Sequence, residues 1–351
     1  MYGIVGSGYR SEYFGRIAGR YPDRIRAVYL CRSEEKAERI RRRTGCEATT
    51  SESRFRDAGP AFVVNCVDRD HMAGVTEAWA GLGYPVMSET PVGASLEELK
   101  RIWEKHRQGA RIVCLEQYHR SPVLRAGLAA VASGMIGKPE HIYISLAHDY
   151  HAASLIRRAL GFPVGTGFTL RGGRNRSPVL ASDSRQGAIW DGSEQQEERT
   201  VMHMHFSTGQ EALYDFSSVQ YRTFIRSRHI CVRGSRGEWS DRQILYLDEN
   251  MEPRRHLLFP EMPEEWRELD TQALRDHRRT WSAELAPDTE EDELAIASML
   301  MDMETWLRGE GPIPYPLEEA LEDAYVWLSM EKAVEGERAW KETASERMPW
   351  H

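Results

Sequence analysis

The N-terminal third of the chain alternates short apolar runs with amphipathic segments of helical period. The apolar runs predict strands over Tyr2–Val5, Ile25–Leu30, Phe62–Val67, Tyr84–Ser88 and Arg111–Gln117. The intervening segments predict helices over Tyr13–Tyr21, Ser33–Thr44, His71–Leu82, Leu96–Gln108 and Val123–Ser133. Strands that alternate with helices are typical of parallel βαβ units. Their right-handed crossovers predict a doubly wound sheet.

Beyond Pro139 the pattern changes to longer runs in which polar and apolar residues alternate. These runs predict half-exposed antiparallel strands over 141–147, 199–207, 211–218, 228–235 and 243–248. Two later helices are predicted, over Asp292–Leu307 and Leu317–Val334. We therefore expect an α/β chain with a doubly wound parallel domain at 1–120. An α+β domain with a large, mostly antiparallel sheet is expected at 121–351.

One polar segment inside the second domain, Gly172–Glu198, is rich in Gly, Ser and Arg. This composition predicts a loop. Such a loop would either cover a site or form a mobile surface insertion.

Composition and charge narrow the class of protein. The 351 residues carry a net charge of −8, and an acidic chain disfavours nucleic acid or an anionic membrane as partner. Five widely spaced cysteines, without a CxxC pair, favour a reducing compartment over a disulfide scaffold. No run approaches the ~18 apolar residues of a membrane span. These features predict a cytoplasmic protein.

A glycine-containing turn follows the first strand and opens the first helix. Its sequence is Gly6-Ser7-Gly8-Tyr9-Arg10-Ser11. Small residues at these positions let the backbone turn tightly and approach a pyrophosphate, which binds at the helix N-terminus. The motif lies within a βαβ unit, which is the context that gives it weight. It predicts a Rossmann domain that binds a dinucleotide.

The end of the second strand bears on the choice between NAD and NADP. An acidic residue there would bind the ribose 2′-hydroxyl of NAD, but this chain has Cys31-Arg32-Ser33. Arg32 and Ser33 are suited to a 2′-phosphate, which favours NADP over NAD. The alternative is that Arg32 is a solvated residue at the start of a helix.

Several segments together resemble the glucose-fructose oxidoreductase, inositol dehydrogenase and MocA family. They are NCVDRDH at 65–71, GYPVMSETPVG at 83–93, CLEQYHRSP at 114–122 and HDYHAASLIRRALGFPV at 148–164. The late hairpin VRGSRGEW and the final helix also resemble the family. The resemblance implies a cofactor on the first domain and a sugar or cyclitol substrate against the sheet of the second. It also implies a homo-dimer or tetramer formed through that sheet.

The chain departs from the family pattern at two positions. Thr90 stands where the family's E-K-P segment has lysine, and Ser154 stands where an aspartate usually follows the histidine. Threonine supplies no positive charge and is a poor proton carrier at neutral pH. The resemblance therefore leaves open whether Thr90 marks lost or altered chemistry.

The candidate catalytic residues are His151 as main acid or base, Asp149 and His148 as its partners, and Tyr118 as a donor to the substrate oxygen. A histidine beside a carboxylate can work as an acid or base near neutral pH. The alternatives are a hydrogen-bonded loop histidine for His148 and a backbone-bonding helix residue for His151. The cofactor-binding candidates are Gly6, Ser7, Gly8, Tyr9, Arg10, Cys31, Arg32, Ser33, Cys66, Val67, Asp68, His71, Glu89, Thr90 and Gln117.

No metal site is predicted. The 148–151 run lacks a distant third ligand, which a zinc site would require. His203 and His205 share one face of an alternating strand, and the simpler interpretation of that face is a polar sheet surface. By the resemblance, it is also a candidate lining of the substrate site.

Three functional hypotheses follow. The first is an NAD(P)-dependent oxidoreductase acting on a sugar, sugar derivative or cyclitol. The second is a redox-assisted hydrolase or lyase that retains its cofactor. The third is a non-catalytic sensor that binds a dinucleotide and a sugar, and the missing lysine at Thr90 motivates it.

Overall fold

The computed structural model describes residues 1–20, 22, 25–185, 187–258, 291–335 and 342–351, and the structural statements below refer to these. They form two compact units. The first comprises the described residues of 1–121, 291–325 and 349–351, and the second the remainder. The first unit thus groups 291–325 with the N-terminal residues. Tyr21, the predicted end of the first helix, lies outside the described residues.

A six-stranded parallel sheet lies at the centre of the first unit. Its strand order is β3-β2-β1-β4-β5-β6, and every pairing is parallel. The strands are β1 Tyr2–Val5, β2 Ala27–Leu30, β3 Glu47–Thr49, β4 Val63–Asn65, β5 Val86–Ser88 and β6 Ile112–Cys114. The predicted doubly wound Rossmann layout is confirmed.

Helices connect these strands, and capping residues fix where several begin and end. The helices are α1 Ser11–Arg20, α2 Glu34–Thr44, α3 Glu52–Asp57, α4 Arg69–Gly81 and α5 Leu96–Arg107. The Ser33 hydroxyl accepts from the Lys36 N–H at the start of α2, and Gly45 ends that helix in the left-handed region at φ 72°. Ser95 caps α5 in the same way.

The second unit is built on a nine-stranded sheet with the order β16-β15-β14-β13-β7-β12-β11-β8-β17. All pairings are antiparallel except that between β7 and β12. The strands are β7 Pro139–Ser145, β8 Phe168–Leu180, β11 Glu194–Phe206, β12 Glu211–Ser217, β13 His229–Gly234, β14 Gly237–Ser240, β15 Gln243–Leu247, β16 Pro253–Leu257 and β17 Glu342–Ala344. The predicted mostly antiparallel sheet is confirmed.

The loop predicted over Gly172–Glu198 is wrong for most of that segment. Its two ends belong to the long antiparallel pair β8 and β11, and a small pair, β9 Asp183–Ser184 and β10 Gly187–Ala188, lies between them. The ladder between β8 and β11 runs from Phe168 to Leu180. Backbone hydrogen bonds along this ladder sustain strands whose side chains are largely polar and exposed.

Four helices complete the described chain: α6 Pro122–Ala132, α7 Asp149–Leu160, α8 Glu291–Leu307 and α9 Leu317–Val334. In the second unit α7 packs on β7, and β11 turns Met202 and Met204 into the buried core. His203 and His205 therefore lie on the opposite, open face of the sheet. Within the described residues, no helix combines the length and apolar character that crossing a bilayer requires.

Candidate functional site

The predicted cofactor residues gather at one edge of the parallel sheet. Gly6 follows β1, Cys31 follows β2, Cys66 follows β4, Glu89 follows β5, and Gln117 lies shortly after β6. Because the strands are parallel, their carboxyl ends meet at this edge. The strand order reverses between β1 and β4, and open α/β sheets bind ligands at such a point.

The loop after β1 has the form of a phosphate cradle. Gly6 has φ +127°, and a Cβ there would lie 2.6 Å from the carbonyl oxygen of Cys66, so only glycine fits. A Cβ on Gly8 would meet no atom within 4 Å, so the space beside the loop is open. The N-terminus of α1 begins at Ser11 and offers N–H groups and the positive end of a dipole. These residues fit a dinucleotide pyrophosphate.

Two carboxylates hold Arg10, which lies in this loop. Its Nε donates to Glu89 Oε1 at 2.5 Å, and its Nη1 donates to Asp292 Oδ2 at 2.8 Å. Gln117 Nε2 donates to the other oxygen of Asp292 at 3.1 Å. Burial opposes the positive charge of Arg10, but Glu89 and Asp292 outweigh it and raise the guanidinium pKa. Sequence analysis missed Asp292 because it follows Arg10 by 282 residues and carries no local motif.

A second arginine, Arg39 of α2, also faces the loop. Its Nη2 donates to the carbonyl oxygen of Ser7. Its Nε is buried and has no hydrogen-bond partner among the described residues. A cationic donor with spare hydrogen-bonding capacity beside a phosphate loop suits an anionic ligand. Sequence analysis missed Arg39 because nothing in the local pattern separates it from the other arginines of α2.

The segment after β2 contains the three residues that are expected to determine whether NAD or NADP binds. Cys31 is buried, and burial raises the pKa of its thiol. Arg32 is exposed, and Ser33 caps α2. The exposed Arg32 side chain can reach a ligand at this edge, but Ser33 already accepts a hydrogen bond from the helix.

The residues after β4 differ in burial, since Cys66 is buried whereas Asp68 and His71 are exposed. Cys66 is buried, its Sγ lies 3.4 Å from the carbonyl oxygen of Val5, and burial raises its thiol pKa. The Val67 N–H donates to Asn65 Oδ1 at 3.4 Å. Asp68 occupies the N-cap of α4 without a side-chain capping bond, and His71 is exposed on the first turn. Cys66 thus packs against the Gly6 loop, and its buried thiol stays protonated.

Two further candidates complete this edge. The Thr90 N–H donates to Glu89 Oε2 at 3.2 Å, and a cis peptide bond joins Thr90 to Pro91. The hydroxyls of Tyr9 and Tyr13 lie 3.1 Å apart, and burial together with this contact raises the pKa of Tyr13 to about 12. The Tyr13 hydroxyl therefore stays protonated at physiological pH.

One of the four predicted catalytic residues belongs to the first unit, and the other three belong to the second. Tyr118 begins a short 3₁₀ turn of the first unit, where its N–H donates to Glu116 Oε1 at 3.1 Å. His148, Asp149 and His151 lie together at the start of α7 in the second unit.

The start of α7 forms a compact histidine cluster. The rings of His148 and His151 are 5.0 Å apart, and His148 Nδ1 lies 3.2 Å from Asp149 Oδ2. Asp149 adopts a left-handed φ of 49°, which is uncommon for a residue other than glycine. Its N–H donates to the hydroxyl of the buried Tyr214 at 3.3 Å. Burial, reinforced by Asp149, raises the pKa of Tyr214, so that hydroxyl stays protonated.

Charged and aromatic groups surround this cluster. His151 is buried, and the ring of Tyr150 lies 4.6 Å from it and 5.6 Å from that of Trp327. Arg174 donates to Glu331 at 2.6 Å, and Glu331 and Asp149 raise its guanidinium pKa against the effect of burial. Two imidazoles and a carboxylate on one helix turn can accept, hold and return a proton.

Comparison with known proteins identifies the fold. No protein-family model and no curated protein matches the sequence. An NAD-binding oxidoreductase from Klebsiella pneumoniae has 13% identity and a TM-score of 0.69 over 99% of each chain. An oxidoreductase from Agrobacterium radiobacter, in complex with NAD+, L-tartaric acid and magnesium, has 13% identity and a TM-score of 0.68 over 96% of each chain.

A levoglucosan dehydrogenase in complex with NADH and levoglucosan is similar to the same degree. Its identity is 14% and its TM-score 0.68, and the match covers 94% of this chain and 96% of that one. At such identities the similarity establishes a shared fold along nearly the whole chain. This chain therefore shares the fold of these oxidoreductases.

Proposed function

We propose that this chain is an NAD(P)-dependent oxidoreductase that transfers a hydride to or from a sugar, sugar derivative or cyclitol. The observation that carries the proposal is the phosphate cradle at the β1–β4 switch point, with Gly6 required by a close backbone approach and Gly8 facing open space. Proteins of the same fold hold NAD+ or NADH, and one holds levoglucosan. When bound, the nicotinamide supplies or accepts the hydride.

The proposal assigns proton handling to the cluster at the start of α7. His151 is the acid or base for the substrate hydroxyl, and His148 with Asp149 forms the pair that shares and orients the proton. Tyr214 fixes the Asp149 backbone through its hydroxyl and so acts as a positioning residue. Thr90 supplies no charge, so this cluster takes the role that a lysine would otherwise have.

NADP is the proposed cofactor. The end of β2 has no carboxylate to bind a ribose 2′-hydroxyl, and Arg32 is exposed there. Arg39 adds a second cation beside the loop with one unused donor. Two guanidinium groups bind the anionic 2′-phosphate of NADP more strongly than the neutral 2′-hydroxyl of NAD.

Binding titrations test the cofactor assignment. Protein purified without added cofactor is titrated with NADPH and NADH by fluorescence. We expect tighter binding of NADPH, and Arg39→Ala should weaken NADPH binding by at least about tenfold, because a charge-assisted hydrogen bond contributes about 1.5–3 kcal/mol. NADH should be affected less. Arg42→Ala, an exposed arginine on the same helix, is the matched control. Equal effects on both nucleotides would remove the NADP assignment.

Turnover is tested by screening polyols, sugars and keto-sugars for absorbance change at the reduced-nicotinamide band. We expect His151→Gln to abolish turnover while the NADPH Kd stays unchanged. Absence of turnover with every substrate class, despite tight cofactor binding, would reject the oxidoreductase and favour a dinucleotide-binding sensor.

A further inference from the structure

Three potential metal ligands meet on the open face of the nine-stranded sheet. His203 and His205 belong to β11, and Glu211 belongs to β12 directly opposite His205. The residues that alternate with the histidines, Met202 and Met204, are fully buried on the other face. Glu211 supplies the third ligand that sequence analysis could not find, because it depends on the register between two strands.

Each histidine in this cluster lies about as far from a Glu211 oxygen as two neighbouring ligands of a tetrahedral metal lie from one another. His203 Nε2 lies 3.5 Å from Glu211 Oε2, and His205 Nδ1 lies 3.2 Å from Glu211 Oε1. All three ligand atoms fall within 4.8 Å of one another. Metal–ligand bonds of about 2.0–2.2 Å with tetrahedral angles place neighbouring ligand atoms about 3.3–3.6 Å apart.

The backbone holds these side chains in place before any ion arrives. β11 and β12 pair continuously from Arg199 to His205, and β11 is flanked on its other side by β8. The two imidazole rings lie 4.3 Å apart with planes inclined by 65°. Their side chains are 41% and 53% exposed, so an ion can enter, and its remaining positions face solvent.

On the β8 side of the cluster, the nearest cation in register has an acidic neighbour of its own. Arg171 of β8 stands opposite His203, and Glu342 of β17 stands opposite Arg171 in the next pairing. The positive charge of Arg171 therefore has a carboxylate beside it in register. The Glu211 carboxylate lies close to both imidazoles and supplies negative charge for a divalent cation.

We propose that His203, His205 and Glu211 form a binding site for Zn²⁺ or a similar divalent metal ion. Two imidazole nitrogens with one carboxylate favour Zn²⁺, Ni²⁺ or Cu²⁺ over Mg²⁺ or Ca²⁺, which prefer oxygen ligands alone. The open position carries water. The inference does not depend on the proposed oxidoreductase activity.

Calorimetric titration of chelator-treated full-length protein with Zn²⁺ tests this site. We expect one ion per chain, and His203→Ala, His205→Ala and Glu211→Gln should each weaken binding by at least about tenfold, because even outer-shell changes have effects of that size. The matched control is His229→Ala. That histidine is also exposed and pairs with Asp241 at 3.0 Å, and among the residues that the structure describes it belongs to no group of three ligands.

Thermal unfolding with and without Zn²⁺ provides a second measurement. Binding to the folded state raises Tm, and the rise should be present in the wild type and in His229→Ala but reduced in the three ligand variants. With chelator present, all variants should melt close to the wild type, since the substituted side chains are half-exposed. Failure of the wild type to bind Zn²⁺, equal binding by His203→Ala, or equal affinity for Mg²⁺ would each overturn the proposal.

Discussion

The guanidinium of Arg10 donates to the Glu89 carboxylate across 2.5 Å and so ties the phosphate loop to the residue that follows β5. The Glu89 side chain is only 8% exposed, whereas that of Arg10 is 29% exposed. The carboxylate therefore depends on this partner more than the arginine does, since a buried charge is costly when it loses its counter-ion.

Arg10→Ala should accordingly lower the free energy of unfolding by about 2 kcal/mol, because it strips the guanidinium from a buried carboxylate. Urea unfolding measures this change. Arg101→Ala is the control, since Arg101 pairs with Glu77 at 3.2 Å on the surface of the same unit and should cost at most about 0.5 kcal/mol. Equal losses in the two variants would contradict the burial argument.

Gly6 and Gly8 should respond differently to alanine. Gly6→Ala meets both an unfavourable φ and the Cys66 carbonyl, so it should reduce stability and dinucleotide binding together. Gly8→Ala meets no atom within 4 Å, so stability should change by less than about 1 kcal/mol. Its methyl group should still obstruct the pyrophosphate and weaken NADPH binding. Unchanged NADPH affinity in Gly8→Ala would contradict the assignment of this loop as the pyrophosphate-binding site.

A pair of helical glycines tests the packing of the second unit. A Cβ on Gly127 of α6 would lie 2.0 Å from the ring of Trp239, which is fully buried in β14. Gly127→Ala should therefore destabilise by about 1–3 kcal/mol through overpacking. Gly74→Ala in α4 has open space, and helix propensity predicts a gain of about 0.5–1 kcal/mol. If Gly127→Ala raised the melting temperature as Gly74→Ala is expected to do, the Trp239 ring would have to move aside without cost, which would contradict the prediction.

Buried thiols should make the protein sensitive to alkaline pH. Burial raises the pKa of Cys114 well above its ordinary value, with Glu116 adding to the effect. The unfolded thiol releases its proton above about pH 8.5 while the folded one keeps it, so stability is fully present below that pH and falls as pH rises. The slope approaches about 1.4 kcal/mol per pH unit for each such thiol.

Urea unfolding of wild type and Cys114→Ala between about pH 7.5 and 9.5 measures this slope. The variant should lose part of the pH dependence. Val113→Ala, in the same buried strand, should lower stability without changing the slope, because it removes no titrating group. A Cys114→Ala slope equal to that of the wild type would contradict the prediction.

Local patterns predicted the features that depend on neighbouring residues. The turn at Gly6–Ser11 and the alternation of strands with helices are both encoded within a few positions. The short elements Glu47–Thr49 and Glu52–Asp57 were missed because they are brief and polar. Strand periodicity rests on apolar side chains, and such segments lack them.

Other features depend on tertiary structure and left no local signal. Asp292 reaches Arg10 through a helix that joins the first unit from far along the chain. Glu211 reaches the two histidines through strand register. The polar strands β8 and β11 are stabilised by backbone pairing, which no side-chain pattern reports.

The separation between Arg10 and Asp292 has a consequence for synthesis on the ribosome. The parallel sheet is translated early, but α8, which supplies Asp292 to Arg10 and Glu293 to Arg16, emerges only after the strands of the second unit before β17. In the nascent chain, Arg10 and Arg16 of the first unit therefore lack these carboxylate partners until α8 has been synthesised. A fragment ending at Ser121 lacks these partners, so the contacts of Arg10 and Arg16 are complete only in a chain that includes α8.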